Sequence, residues 1–257
     1  MNPVLARVVT TVLASMGTLL GTALAAPQSS QAGLNLPAPL MHGSRQRPEV
    51  ALTFDADMTP FMRRKLEQGV IKSFDDGRIR AYLEREGIHA TFFLTGMWAE
   101  QYPKAALELA RNPLFELGNH SYSHSGFVSP CYTLAKLPPG GARAEIEAAQ
   151  AAIFEATAKT PHFFRFPGLC HDPAALETVA SLGLEAVDGD AIGQDGFQKN
   201  PAVIEKNVLS SVQNGSIIVL HCHGGPNAPA TFAALEQIVP KLRSRGFSFV
   251  TLSALVR

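Results

Sequence analysis

Val50-Ala51-Leu52-Thr53-Phe54, followed at once by Asp55-Ala56-Asp57, decides the fold. A short apolar run rich in β-branched and aromatic residues, unbroken by charge, reads as a strand buried on both faces, as in a parallel sheet. The full run spans 49–54, and others of the same kind recur at 90–95, 115–118, 162–166, 184–187, 216–220 and 247–252, making seven strands. Helical stretches lie between them, at 75–86, 103–111, 142–158, 173–182, 201–212 and 231–245, three of them opened by proline (Pro103, Pro173, Pro201). Strands alternating with helices imply right-handed crossovers and a parallel sheet. Seven such units in one α/β domain are most simply closed into a barrel, with an open doubly wound sheet as the alternative.

In a barrel of this kind functional groups collect where the strands end. Asp55 and Asp57 follow the first strand, His120 and His124 the third, Arg165 ends the fourth, Asp188 and Asp190 follow the fifth, and His221 and His223 the sixth. Two imidazoles and one carboxylate suffice to hold a catalytic zinc with positions left open, and a second carboxylate nearby can serve as base. The same ligand types also suit iron, cobalt or nickel. A competing carboxylate pair, Asp75-Asp76 before Gly77, has no strand ahead of it and is followed by an amphipathic pattern at Ile79, Tyr82 and Leu83, so it reads as a helix cap.

The first 25 residues carry one arginine, an apolar run at 8–24 and Ala23-Leu24-Ala25, the pattern of a cleaved signal peptide, which implies a secreted or periplasmic protein with no membrane span after cleavage. Residues 26–48 read as a linker rich in Pro, Gln, Ser and Gly, and 49–257 as the folded domain. The formal net charge is zero, which argues against a nucleic-acid partner and favours a neutral glycan. Three cysteines leave at least one unpaired. Cys170 and Cys222 each sit beside a candidate site residue, open to a cross-loop disulfide, an extra ligand or simple packing. Trp98 is core or groove wall, and the irregular segment 126–141 is a groove-lining loop or a surface insertion.

Five blocks, Thr53-Phe54-Asp55, Ala90 to Gly96, Glu116 to His124, Arg165-Phe166-Pro167-Gly168 and Gly215 to His221, resemble the polysaccharide deacetylases of carbohydrate esterase family 4. The resemblance implies a distorted (β/α)7 barrel that removes N- or O-acetyl groups from a cell-envelope or extracellular polysaccharide such as peptidoglycan or chitin, acting as a monomer with a zinc-like divalent metal. It implies Asp55 as general base, His120 and His124 as metal ligands, Arg165 as the residue orienting the base, and His221 as general acid. The family's second aspartate directly follows the base. Here Ala56 fills that slot and Asp57 is assigned as the ligand, sharing a face with Asp55. The family's aspartate-tryptophan block becomes Asp190-Ala191-Ile192-Gly193-Gln194-Asp195-Gly196, so Asp190 and Asp195 both stand as partners of the acid. The family's leucine-histidine-aspartate becomes Leu220-His221-Cys222-His223, with His223 the alternative acid. A silent glycan-binding barrel and a metal-dependent amidohydrolase acting on a small amide or imide are the other readings.

Overall fold

A computed structural model describes residues 37–257, so the expected signal peptide and the first part of the expected linker lie outside the described residues. The strands are β1 (Glu49–Ala56), β2 (Ala90–Leu94), β3 (Phe115–Asn119), β4 (Phe163–Phe164), β5 (Glu185–Ala186), β6 (Ala191–Ile192), β7 (Ile217–His221) and β8 (Ser248–Phe249). They form one sheet in the order β5-β4-β3-β2-β1-β7-β6, all pairs parallel, with β8 attached to the start of β1. The sheet is therefore the expected α/β barrel in distorted form. The paired strands do not close between β5 and β6, and Leu40 and His42 form bridges to Val187 and Ser216 on the two sides of that gap. Residues 37–48 are thus packed against the domain and not the free linker expected from their composition. Gly43 N–H, for instance, donates to Gly215 O at 2.8 Å.

The helices are α1 (Pro60–Glu67), α2 (Gly77–Arg85), α3 (Gly96–Gln101), α4 (Pro103–Arg111), α5 (Ala142–Thr157), α6 (Pro173–Ser181), α7 (Pro201–Ser211), α8 (Thr231–Ser244) and α9 (Leu252–Leu255). Proline sits in the first turn of α4, α6 and α7, where its missing N–H costs nothing. Asp76 caps α2 by accepting from Arg78 N, and Asp75 is bound to Arg80, so both acids of the competing pair are used structurally. None of the helices among the described residues is long and apolar enough to cross a membrane.

Two strands depart from expectation. β6 was not foreseen, because two residues are too few to show a period. The expected strand 247–252 shortens to β8, since Leu252 begins a helix.

Alternation along β1 separates two environments. Val50, Leu52, Phe54 and Ala56 join the main apolar core under the helices, whereas Ala51 packs with Phe93, Phe163 and Val187 inside the barrel. Thr53 and Asp55 follow Ala51 on that inner face. Gly118 of β3 makes room there: a Cβ at this position would lie 2.4 Å from the Phe93 ring. Trp98 is fully buried and donates from Nε1 to Phe74 O at 2.9 Å, so it belongs to the core and not to a groove wall.

Candidate metal and acid–base centre

Arg165, wholly buried at the end of β4, fills the barrel interior under the mouth. Its Nη1 donates to Thr53 Oγ1 and to Asp55 Oδ1, each at 2.8 Å, and its Nη2 to Asp188 O at 2.8 Å. The guanidinium lies 4.1 Å from the Phe93 ring centre. A charge buried this deeply is tolerated only because every face of it is matched, two sides by oxygens and one by the π-cloud. Asp55 Oδ1 is thereby fixed, and Oδ2 is left facing His120 Nε2 at 3.7 Å.

Asp57 lies just past β1 on the same side as Asp55. Its Oδ1 is 3.4 Å from His120 Nε2, and its Oδ2 is 3.5 Å from His124 Nε2 and 3.2 Å from His223 Nε2. The two candidate ligand histidines leave β3 through a tight turn. Ser121 (φ 67°) and His124 (φ 57°) both take the left-handed conformation, and Ser121 Oγ accepts from His124 N. Two non-glycine residues held there cost on the order of 1–3 kcal/mol each, a strain that concentrates at functional sites. His120 Nδ1 donates to Arg165 O at 2.8 Å, which fixes the ring and directs Nε2 at Asp57.

Electrostatics bind this group together. Burial pushes the Asp57 carboxyl upward, but His124, His223 and His221 outweigh it and hold it well below the usual carboxylate range. Burial lowers His124 to about 4 against the pull of Asp57, leaving it neutral and able to ligate. His120 also loses from burial, yet Asp55 and Asp57 raise it. Asp57 Oδ1 and His120 Nε2 are both buried with no hydrogen-bond partner. Asp57, His120 and His124 offer donor atoms within 4.8 Å of one another, so the residues fit a divalent cation.

Opposite stands His221, beside Asp55 in the β1–β7 register. Its Nδ1 lies 2.8 Å from Asp195 Oδ1, its backbone N donates to Asp195 Oδ2, and Thr231 Oγ1 donates to that same oxygen. Burial disfavours the proton on His221, but Asp195 and Asp57 outweigh it and raise the group to about 10.

Asp195 is therefore the partner of His221, and Asp190 is not. Asp190 bonds Arg45, Ser216 Oγ and Ile217 N at the start of β7, the end of that strand away from His221. Between the two aspartates the chain runs beside β7 through the two-residue strand β6, so Asp190 meets Ile217 and Asp195 meets His221. Asp188 contributes its backbone oxygen to Arg165 and its side chain to His171, at 2.9 Å. Cys170 pairs with Cys131 in a disulfide, tying the 126–141 loop to the loop after β4, and Cys222 is a buried free thiol that packs. Sequence reasoning gave no role to Thr231, which carries no motif, and undervalued His223, whose His-x-His spacing from His221 was the available signal.

The polysaccharide deacetylase family profile matches residues 42–187, more than half of the chain. The chain belongs to the polysaccharide deacetylase family. It is similar to a peptidoglycan-N-acetylglucosamine deacetylase of Bacillus cereus, with 28% identity over 219 residues, 83% of this chain and 70% of that one. Another curated relative is matched over only 50% of its length. Among solved structures, a family 4 acetyl xylan esterase from Clostridium thermocellum in complex with a cobalt ion gives a TM-score of 0.64 at 29% identity, covering 80% of this chain and 89% of that one. A CE4 family pseudoenzyme mutant with restored activity shares the fold at a TM-score of 0.70 and 22% identity, covering 86% and 72%. Polysaccharide deacetylases are hydrolases.

Proposed function

We propose that this protein is a metal-dependent deacetylase of a cell-wall polysaccharide, with the N-acetyl groups of peptidoglycan as its substrate and zinc as its metal. The observation that carries this reading is the cluster of Asp57, His120 and His124 beside an Arg165-bound Asp55, faced by the His221–Asp195 pair. The peptidoglycan deacetylase among its relatives supports the substrate, and the cobalt-bound esterase supports a divalent cation. The apolar leader-like run at 8–24 supports export to where such a wall lies.

When bound, a cation held by Asp57, His120 and His124 supplies polarisation of the acetyl carbonyl and acidification of a water. Asp55 accepts the proton of the attacking water on Oδ2, because Oδ1 is committed to Arg165. His221, protonated and steadied by Asp195, donates from Nε2 to the departing nitrogen. Base and acid are separate residues on adjacent strands, so neither has to be reset by the other within one turnover. The exposed pair Tyr132 and Phe197, with ring centres 5.2 Å apart, offers an aromatic wall for a sugar ring. Tyr132 reaches that position over Gly168, whose φ of 65° and lack of a side chain admit the ring: a Cβ there would lie 3.1 Å from it.

The test is acetate release from peptidoglycan, chitin oligosaccharides and acetylated xylan, with and without chelator. Release from peptidoglycan that chelator abolishes and zinc restores is the expected result. Chelator-insensitive release would remove the metal from the scheme, and no release from any of the three would leave a silent glycan-binding barrel.

A further inference from the structure

The segment Leu220-His221-Cys222-His223 places two imidazoles, ring centres 5.2 Å apart, on one side of an extended chain, with Cys222 directed away. They are built differently. His221 spends Nδ1 on the Asp195 carboxylate and keeps 21% of its side chain exposed, as suits a group that meets substrate. His223 is 2% exposed and has no carboxylate on Nδ1. Its Nδ1 lies 3.1 Å from Gly224 O, an oxygen that can only accept, so Nδ1 carries a proton and, in the neutral ring, Nε2 is the lone pair. That lone pair faces Asp57 Oδ2 at 3.2 Å. Two acceptors pointed at each other in a buried site repel unless a positive centre lies between or beside them.

His120 repeats the arrangement on the other oxygen of the same carboxylate. Its Nδ1 donates to the Arg165 carbonyl, and its Nε2 is aimed at Asp57 Oδ1. A ring whose one nitrogen is anchored to a backbone carbonyl and whose other is presented to an acid is the form that metal-binding histidines take. The donor atoms of Asp57, His221 and His223 lie within 4.8 Å of one another, as do those of Asp57, His120 and His124, and Asp57 is common to both sets.

We propose that His223 is a cation ligand, donating through Nε2 beside Asp57, so that the cation centre of this chain draws imidazoles from β3 and from the segment after β7. The proposal rests on the reading of Asp57 as the centre of a divalent-cation site. It gives His223 a role apart from that of His221, which stays the proton donor.

The experiment is equilibrium titration of Zn2+ and Co2+ into the chelator-stripped full chain, read by competition with a chromogenic chelator and by the visible Co2+ absorption bands. His223→Ala should weaken binding by about tenfold or more and change the Co2+ bands, and added imidazole should restore both. His223→Gln, which keeps an amide donor for Gly224 O but offers no imidazole nitrogen, should weaken binding likewise and serves if the alanine variant does not fold. The exposed His162→Ala should bind as the wild type does. Folded His223 variants with unchanged affinity and unchanged Co2+ bands would overturn the proposal, as would nitrogen NMR of the zinc-loaded protein showing a proton on His223 Nε2. Acetate release does not enter this readout. Weakened cation binding in a protein that hydrolyses no acetylated glycan would uphold the ligand and sink the deacetylase reading alone.

Discussion

His221 Nδ1 and Asp195 Oδ1 stand 2.8 Å apart, and the other Asp195 oxygen accepts the backbone N–H of the same histidine, so one carboxylate fixes both the ring and the chain that bears it. Burial works against a charged imidazole here, but Asp195 first and Asp57 second raise its proton affinity to about 10. The folded value exceeds the ordinary 6.5, so the pair stabilises the folded protein at pH values below the ordinary one, and that contribution is lost as pH rises toward about 10. Asp195→Asn should move the His221 titration downward in the metal-free protein, followed by histidine NMR, and should pull the alkaline limb of the pH–rate profile down with it. An unmoved His221 titration in a folded variant would remove Asp195 from this role.

Asp55→Asn tests the base. The amide keeps a partner for Arg165 and leaves Asp57, His120 and His124 in place, so metal content should be retained. Turnover should fall by roughly 10²–10⁴-fold, the usual size of a lost acid–base group. Metal analysis beside acetate release checks both halves, and near wild-type activity would exclude Asp55 as base.

His120→Ala and His124→Ala should lose the cation as well as activity, since each removes a nitrogen aimed at Asp57. Metal analysis after dialysis separates these variants from Asp55→Asn. Retention of a full equivalent of metal by both would sink the ligand set.

Asp190→Ala and Asp75→Asn probe acids placed outside the site. Turnover should be unchanged in both. Asp190→Ala strips partners from the buried Ile217 N–H and Ser216 Oγ, so thermal or denaturant unfolding should show a loss of about 1–3 kcal/mol. A collapse of activity with unchanged stability would return Asp190 to the catalytic set.

Tyr132→Ala tests the aromatic wall. KM for an oligosaccharide should rise while kcat changes little, the sign of lost binding shared by ground and transition states. A fall in kcat alone would point to a different role for the loop that the Cys131–Cys170 disulfide secures.

Much of the site was legible because its residues sit where strands end. A buried strand such as 50–54 can be recognised locally, and whatever polar residue follows it is delivered to the barrel mouth. Asp55, Asp57, His120, His124, Arg165 and His221 follow from that rule together with the family resemblance. Asp190 and Asp195 could not be told apart in the same way. Which one meets His221 depends on β6, whose two residues give no period to read, and which carries Asp195 to the mouth while Asp190 stays at the foot of β7.

By itself the sequence determined most of the order of strands and helices, β6 and α1 apart, together with the buried strand faces and the set of acids and imidazoles on offer, because periodicity and residue chemistry are local properties. The tertiary structure decided the pairings: Asp195 over Asp190 for His221, Cys131 over Cys222 for Cys170, packing of residues 37–48 against the sheet, and His223 turned toward Asp57. Each of these joins residues distant in the chain or turns a side chain within a packed interior. Such choices are set by which groups share a buried space where every charge and every donor needs a partner.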